Sequence, residues 1–245
     1  MKHQSNSLLR SALCLCAIFS IGFQFSCSKD KTSATPPNNI RITTTAKFGK
    51  VLTDSAGNTL YFFSNDAAAT SNCTGGCIVT WPVFSTNSIT TDADLDKSDF
   101  SSILRTDGAK QLTYKGWPLY YYQPDSLKSG NFKGDAVGNV WFVAKPDYTI
   151  MIAKGQLVGN DGVNYDSTYK AGTQKYAYFT DDFGRTLYSF TPDKNRKNNY
   201  TKSDFSNDAT WPIYQVSPLN VPSIVNKALF DTIHVFGKVQ LTFKG

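Results

Sequence analysis

The chain has 245 residues, 14% of them aromatic and only 18% charged, with 17 Phe and 13 Tyr. All 19 acidic residues are Asp, so the composition favours strands joined by tight turns and speaks against long surface helices. The net charge of +6 comes from scattered Lys and Arg, with only "KNRKNN" (194–199) approaching a cluster, which argues against a nucleic-acid partner.

Residues 1–26 read as a targeting segment. Lys2 and Arg10 form its positive start, and Ser11 to Phe25 is an apolar run of 15 residues, too short for a comfortable membrane span. "FSCSKD" follows at once and resembles the bacterial lipobox, in which the thiol of Cys27 takes a diacylglyceryl group and becomes the first mature residue. Gln24 departs from the usual aliphatic residue three places before that cysteine. Losing Lys2, Arg10 and no acid lowers the net charge from +6 to +4. The polar, Pro-containing stretch 27–40 reads as a flexible tether. A lipoprotein of the cell envelope, held in the outer membrane through its N-terminal lipid, is the expectation. Whether it faces the periplasm or the outside is left open.

From residue 41 the chain repeats itself. "TDSAGNTLYFF" (53–63) returns as "TDDFGRTLYSF" (180–190), offset 127. Trp81-Pro82 returns as Trp211-Pro212, offset 130, and "QLTYKG" (111–116) as "QLTFKG" (240–245), offset 129. Three matches in order divide the chain into halves 41–148 and 149–245. Within them Gly57, Gly116, Gly184 and Gly245 mark a finer period, spaced 59, 68 and 61 residues apart. Each complete unit reads as a hairpin whose second strand carries Leu-Tyr, followed by a strand with Trp81, Trp141 or Trp211. The fold class is therefore all-β: tandem meander repeats of about 60 residues, which cannot bury their faces alone. A four-unit propeller-like assembly is one packing, paired β-sandwiches the other. The fourth unit stops at Gly245 without its Leu-Tyr and Trp strands, so either the sequence continues further, the preferred reading, or another strand completes the unit.

The Leu-Tyr strands fit Tyr-x-[Phe/Tyr]-x-x-Asp three times, at Tyr61, Phe63 and Asp66, at Tyr120, Tyr122 and Asp125, and at Tyr188, Phe190 and Asp193. On these residues, with "GCIVTWP" and "GNVWFVAKP" beside them, the chain resembles the bacterial lipoprotein family described as a secreted repeat of unknown function. The resemblance covers roughly 45–245 and implies an envelope location and a tandem β architecture. It brings no reaction. Two departures are the unfinished fourth unit and the lack of a cysteine pair in the second half.

The motif has a structural and a functional reading. In a strand, Tyr61 and Phe63 share one face and Leu60 and Phe62 the other, with Asp66 in place to accept backbone amides at the strand's end. That explains recurrence in every unit. In the functional reading the aspartates converge to bind a cation, or the aromatic rings stack a sugar. Cys73 and Cys77, in "CTGGC", read as a local disulfide, with a redox-active pair or a metal site as alternatives. No cofactor and no metal ligand set is indicated. With one His (His234) after residue 26, no Glu and no nucleophile motif, the usual catalytic triads find no parts. The expected function is a non-catalytic binding or scaffolding module with an envelope protein or glycan as partner. The rivals are a small redox protein using Cys73 and Cys77, and cation-dependent binding through the motif aspartates.

Overall fold

The structure is a computed structural model describing residues 39–66, 69–127, 130–216 and 219–245, which lie in one compact unit spanning 37–245. The targeting segment, Cys27 and the tether as far as residue 38 lie outside the described residues. Asn39 is anchored, its amide bonding Thr86 and Ser88, and Ile40 is a fully buried strand residue, so these two belong to the folded body and not to a tether.

The first unit opens with a hairpin of β1 (Ile40–Thr45) and β2 (Gly49–Asp54). A turn through Gly57 leads to β3 (Tyr61–Phe63), with Thr53 bridged to Thr59. Gly57 has φ 83° and Gly116, its counterpart, the same value, a region where a Cβ is strained. This is why the motif begins on glycine. After a short helix, α1 (Gly76–Thr80), the second unit repeats the design with β4 (Phe100–Leu104), β5 (Lys110–Tyr114), β6 (Trp117–Pro118) and β7 (Trp141–Val143).

The second half begins with β8 (Met151–Val158), β9 (Asn164–Tyr165) and β10 (Lys175–Thr180), where a longer connection carrying β9 replaces the tight β1–β2 turn. It ends with the hairpin of β11 (Phe230–Val235) and β12 (Lys238–Phe243). Equivalent bonds recur at the offsets read from the sequence. The Leu60 N–H donates to Leu52 O and the Leu187 N–H to Phe179 O, while Leu112 donates to Phe84 and Leu241 to Tyr214.

The all-β tandem architecture is thus as expected, in open antiparallel sheets of two or three strands. The ladders add one feature that the repeat period did not foretell. The Trp strand of each of the first two units crosses to the other unit. β7 pairs with β3, Phe63 opposite Trp141, while Val83 bridges Tyr120 and Phe84 donates to Leu119 O. The units are therefore joined as a reciprocal pair.

Alternation of the motif strand feeds two cores. Leu60 and Phe62 enter one with Ile40, Leu52, Leu112, Trp117 and Leu119; Tyr61 and Phe63 enter the other with Trp81, Tyr120, Trp141 and Val143. Both faces of the strand are buried, which is why it is apolar throughout.

Candidate functional site

The motif residues of the first two units meet at the centre of this exchange. Tyr61 and Tyr120 lie opposite each other, each donating its N–H to the other's carbonyl, at 2.9 and 3.1 Å. Their side chains then cross: the Tyr61 hydroxyl donates to Asp125 and the Tyr120 hydroxyl to Asp66. Each carboxylate is held for this by its own turn, Asp66 accepting the Asn72 N–H at 2.7 Å and Asp125 the Lys133 N–H at 3.0 Å. The motif's Tyr and Asp are partners between repeats, not within one.

Burial sets the electrostatics of the pair. It pushes the carboxyl of Asp66 up from 3.8 to about 6, against the opposing pull of the Tyr120 hydroxyl, the Asn72 amide and the Arg105 charge. Burial, then the adjacent carboxylate, pushes the hydroxyls of Tyr61 and Tyr120 far above the ordinary tyrosine value, so both stay protonated donors.

Aromatic rings close the centre. Trp81 and Trp141 stack at 3.8 Å with planes 2° apart, Tyr122 stacks on Trp81 at 4.1 Å, and Phe63 on Trp141 at 4.0 Å. Gly134, in "KGDAVGN", lets the backbone press against this cluster. A Cβ there would sit 2.7 Å from the Tyr61 ring and 2.9 Å from Trp81. Gly134 also donates its N–H to the Tyr61 hydroxyl at 3.4 Å.

Cys73 and Cys77 are at disulfide distance, Cα to Cα 5.3 Å, with Cys73 wholly buried in the same core. Arg105, a residue that sequence reasoning passed over, clamps this loop. Its buried guanidinium donates to the Cys73 carbonyl at 2.8 Å, to Gln111 at 3.0 Å, to Ser71 and to Asp107. In the second half, Asn207 stands where Cys77 stands and ties the equivalent loop with hydrogen bonds. Its amide donates to Tyr200 O at 2.6 Å and accepts from the Lys202 N–H at 3.0 Å.

The second-half motif has the same local geometry without the burial. Asp193 accepts the Asn199 N–H at 2.6 Å, as Asp66 does that of Asn72, and Tyr188 meets Trp211 edge-on at 5.2 Å, as Tyr61 meets Trp81. Yet Tyr188 is 73% exposed where Tyr61 is 0%, and Trp211 50% where Trp81 is 4%. Phe190 is exposed as well. The motif aspartates do not gather into a cation cage: Asp66 and Asp125 each end on a tyrosine of the opposite unit. Among the described residues no three His, Cys, Asp or Glu side chains come together. His234 sits exposed on β11.

A family model described as a secreted repeat of unknown function matches residues 42–85 and 101–145. The two matched stretches stand in tandem. Each runs from the opening hairpin to the Trp strand, so the matched pair is the interlocked pair. The likeness read from the motif beyond residue 145 rests on the internal repeat. The family's description suits an extracellular or envelope protein, and among the described residues no helix is long and apolar enough to cross a membrane. No curated protein and no solved structure matches the chain.

Proposed function

We propose that the protein is a lipid-anchored module of the cell envelope, held in the outer membrane through Cys27, that binds a partner without catalysis through the aromatic face of its third unit. The observation that carries this reading is the exposure of Tyr188, Phe190 and Trp211 on one motif, when the same three positions are core in the first unit. Exposed aromatic clusters of this kind mark interaction surfaces. A cavity between Phe62, Tyr114 and Met151 has about 10 Å³, room for one water molecule. Burial of Cys73 gives a redox role no accessible sulfur at that position. The partner class is an envelope protein or a glycan.

Two measurements test this. Metabolic labelling with an alkyne fatty acid should tag the wild-type chain and fail on Cys27→Ala, which should also leave the membrane fraction. A photo-crosslinking residue at position 188 should capture an envelope component, and the same residue at Tyr169, exposed but outside the motif, should not. Labelling of Cys27→Ala, or equal capture from both positions, would refute the proposal.

A further inference from the structure

We infer that Lys115 and Asp182 join covalently, the side-chain amine and carboxyl condensing to an isopeptide bond that staples the second unit to the third. The groups already meet. Lys115 Nζ lies 2.6 Å from Asp182 Oδ2 and 4.0 Å from Asp99 Oδ2, and the Lys115 side chain is only 16% exposed. The internal repeat serves as a control on this trio. In the third-unit turn, Asp181 does the work of Asp54 in the first: Asp54 Oδ1 accepts the N–H groups of Ala56 and Asn58, and Asp181 Oδ1 those of Phe183 and Arg185. Asp182 and Phe183 are additions, standing where the first unit has the exposed Ser55 and Ala56. Lys244 is the counterpart of Lys115 in the second half. Each donates its main-chain N–H at 2.7 Å, Lys115 to Asp99 O and Lys244 to Leu229 O. The lysine recurs, whereas neither carboxylate does. Both are peculiar to the place where they face Lys115.

The surroundings hold the pair for reaction. The Trp117 indole donates to the Asp182 carbonyl at 3.1 Å, and the rings of Tyr114 and Phe183 flank the amine at 5.5 and 5.2 Å. Neighbouring charges are engaged elsewhere, Asp181 by Arg185 at 2.6 Å and Lys145 by Asp147 at 3.5 Å. In the step, Asp99 relays one ammonium proton to the Asp182 carboxylate. The neutral amine attacks the carboxyl carbon, the C–N bond forms, and the C–O bond breaks as the hydroxyl leaves with a second nitrogen proton. One ammonium and one carboxylate thus give one amide and one water, and Asp99 ends as it began. The cavity of about 10 Å³ is lined by Lys115 and Asp182 as well, and it has room for that water. Effective molarities of about 10⁵ M or more for well-oriented groups favour the amide over its hydrolysis. Like a disulfide that closes a long loop, the bond would restrain the unfolded chain.

The test is peptide mass spectrometry of the purified full-length protein after denaturation and trypsin. The wild type should yield a branched product, residues 111–128 joined to 176–185, lighter than the two peptides together by one water and uncut after Lys115. Asp182→Ala should abolish it. So should Lys115→Arg, which keeps the positive charge, and with it the ion pair, should Asp182→Ala disturb the fold. Asp99→Ala, with an unchanged circular dichroism spectrum, should slow its formation tenfold or more. Cleavage after Lys115 in the folded wild type, with 176–185 recovered as a free peptide, would overturn the inference and leave an ion pair. A water-deficient product that persists in Lys115→Arg would overturn it as well, by placing the condensation elsewhere. Equal rates in Asp99→Ala and wild type would remove Asp99 from the step and overturn the three-residue mechanism.

Discussion

The first and third units are written in nearly the same residues and differ most in what covers them. Thr53 to Phe63 and Thr180 to Phe190 share the Gly turn, the bridge from Thr to Thr and the Leu bond back to the preceding strand. One ends in a sealed aromatic core and the other on open surface. Local sequence therefore builds the strand and its turn, while burial of the motif depends on a second unit that returns both a Trp strand and a Tyr–Asp pair. The motif is half of an interface.

Removing an indole gives the largest contrast. Trp81 packs on Trp141 and Tyr122, so Trp81→Ala should cost about 3–5 kcal/mol. Trp211→Ala, half-exposed, should cost under about 1 kcal/mol. Urea midpoints for the two variants decide it. Equal losses would mean that the third-unit face is as sealed as the first and that the comparison is void.

Acidity probes the buried carboxylate next. In the folded chain Asp66 titrates near 6, raised by burial from 3.8. Between those values the folded state holds a proton that the unfolded state has lost. Stability from this group is therefore fully present below about pH 4 and falls as pH rises to about 6, by about 3 kcal/mol at most. Melting temperatures from pH 4 to 7 should show a downward step in the wild type that Asp66→Asn removes. A step that persists in Asp66→Asn would assign it to another group.

Much of this fold could be read in the chain. Strand alternation, the glycine turns and the offsets of 127 to 130 residues mark the repeats because each is a local or periodic property. Asp66 accepts the Asn72 N–H at the end of its strand, a bond of the kind that a strand-end Asp makes. The exchange was not legible. Period and alternation are the same whether Trp141 packs on its own unit or on Phe63, and only the tertiary pairing separates the two. Arg105 escaped for a related reason: an arginine beside a Thr-Asp-Gly turn reads as solvated, and its burial against the Cys73 carbonyl is a long-range contact. The close approach of Gly134 to the Tyr61 and Trp81 rings is likewise a long-range contact that leaves no local signal.

The smallest contrast lies in how the two halves close the loop before their Trp strands. Cys73 and Cys77 bound a short ring whose closure entropy contributes about 2 kcal/mol, while Asn207 holds its loop by two hydrogen bonds that are together worth about 1 kcal/mol. Cys73→Ala with Cys77→Ala should therefore lower the urea midpoint more than Asn207→Ala does, and reduction of the wild type should reproduce the first result. The cysteine loop has more to lose, because its Cys73 carbonyl satisfies a buried guanidinium that would otherwise lack one acceptor. If Asn207→Ala proved the more damaging, the open half would depend on its loop more than the sealed half does. The third unit would then be ordered chiefly by its own turn.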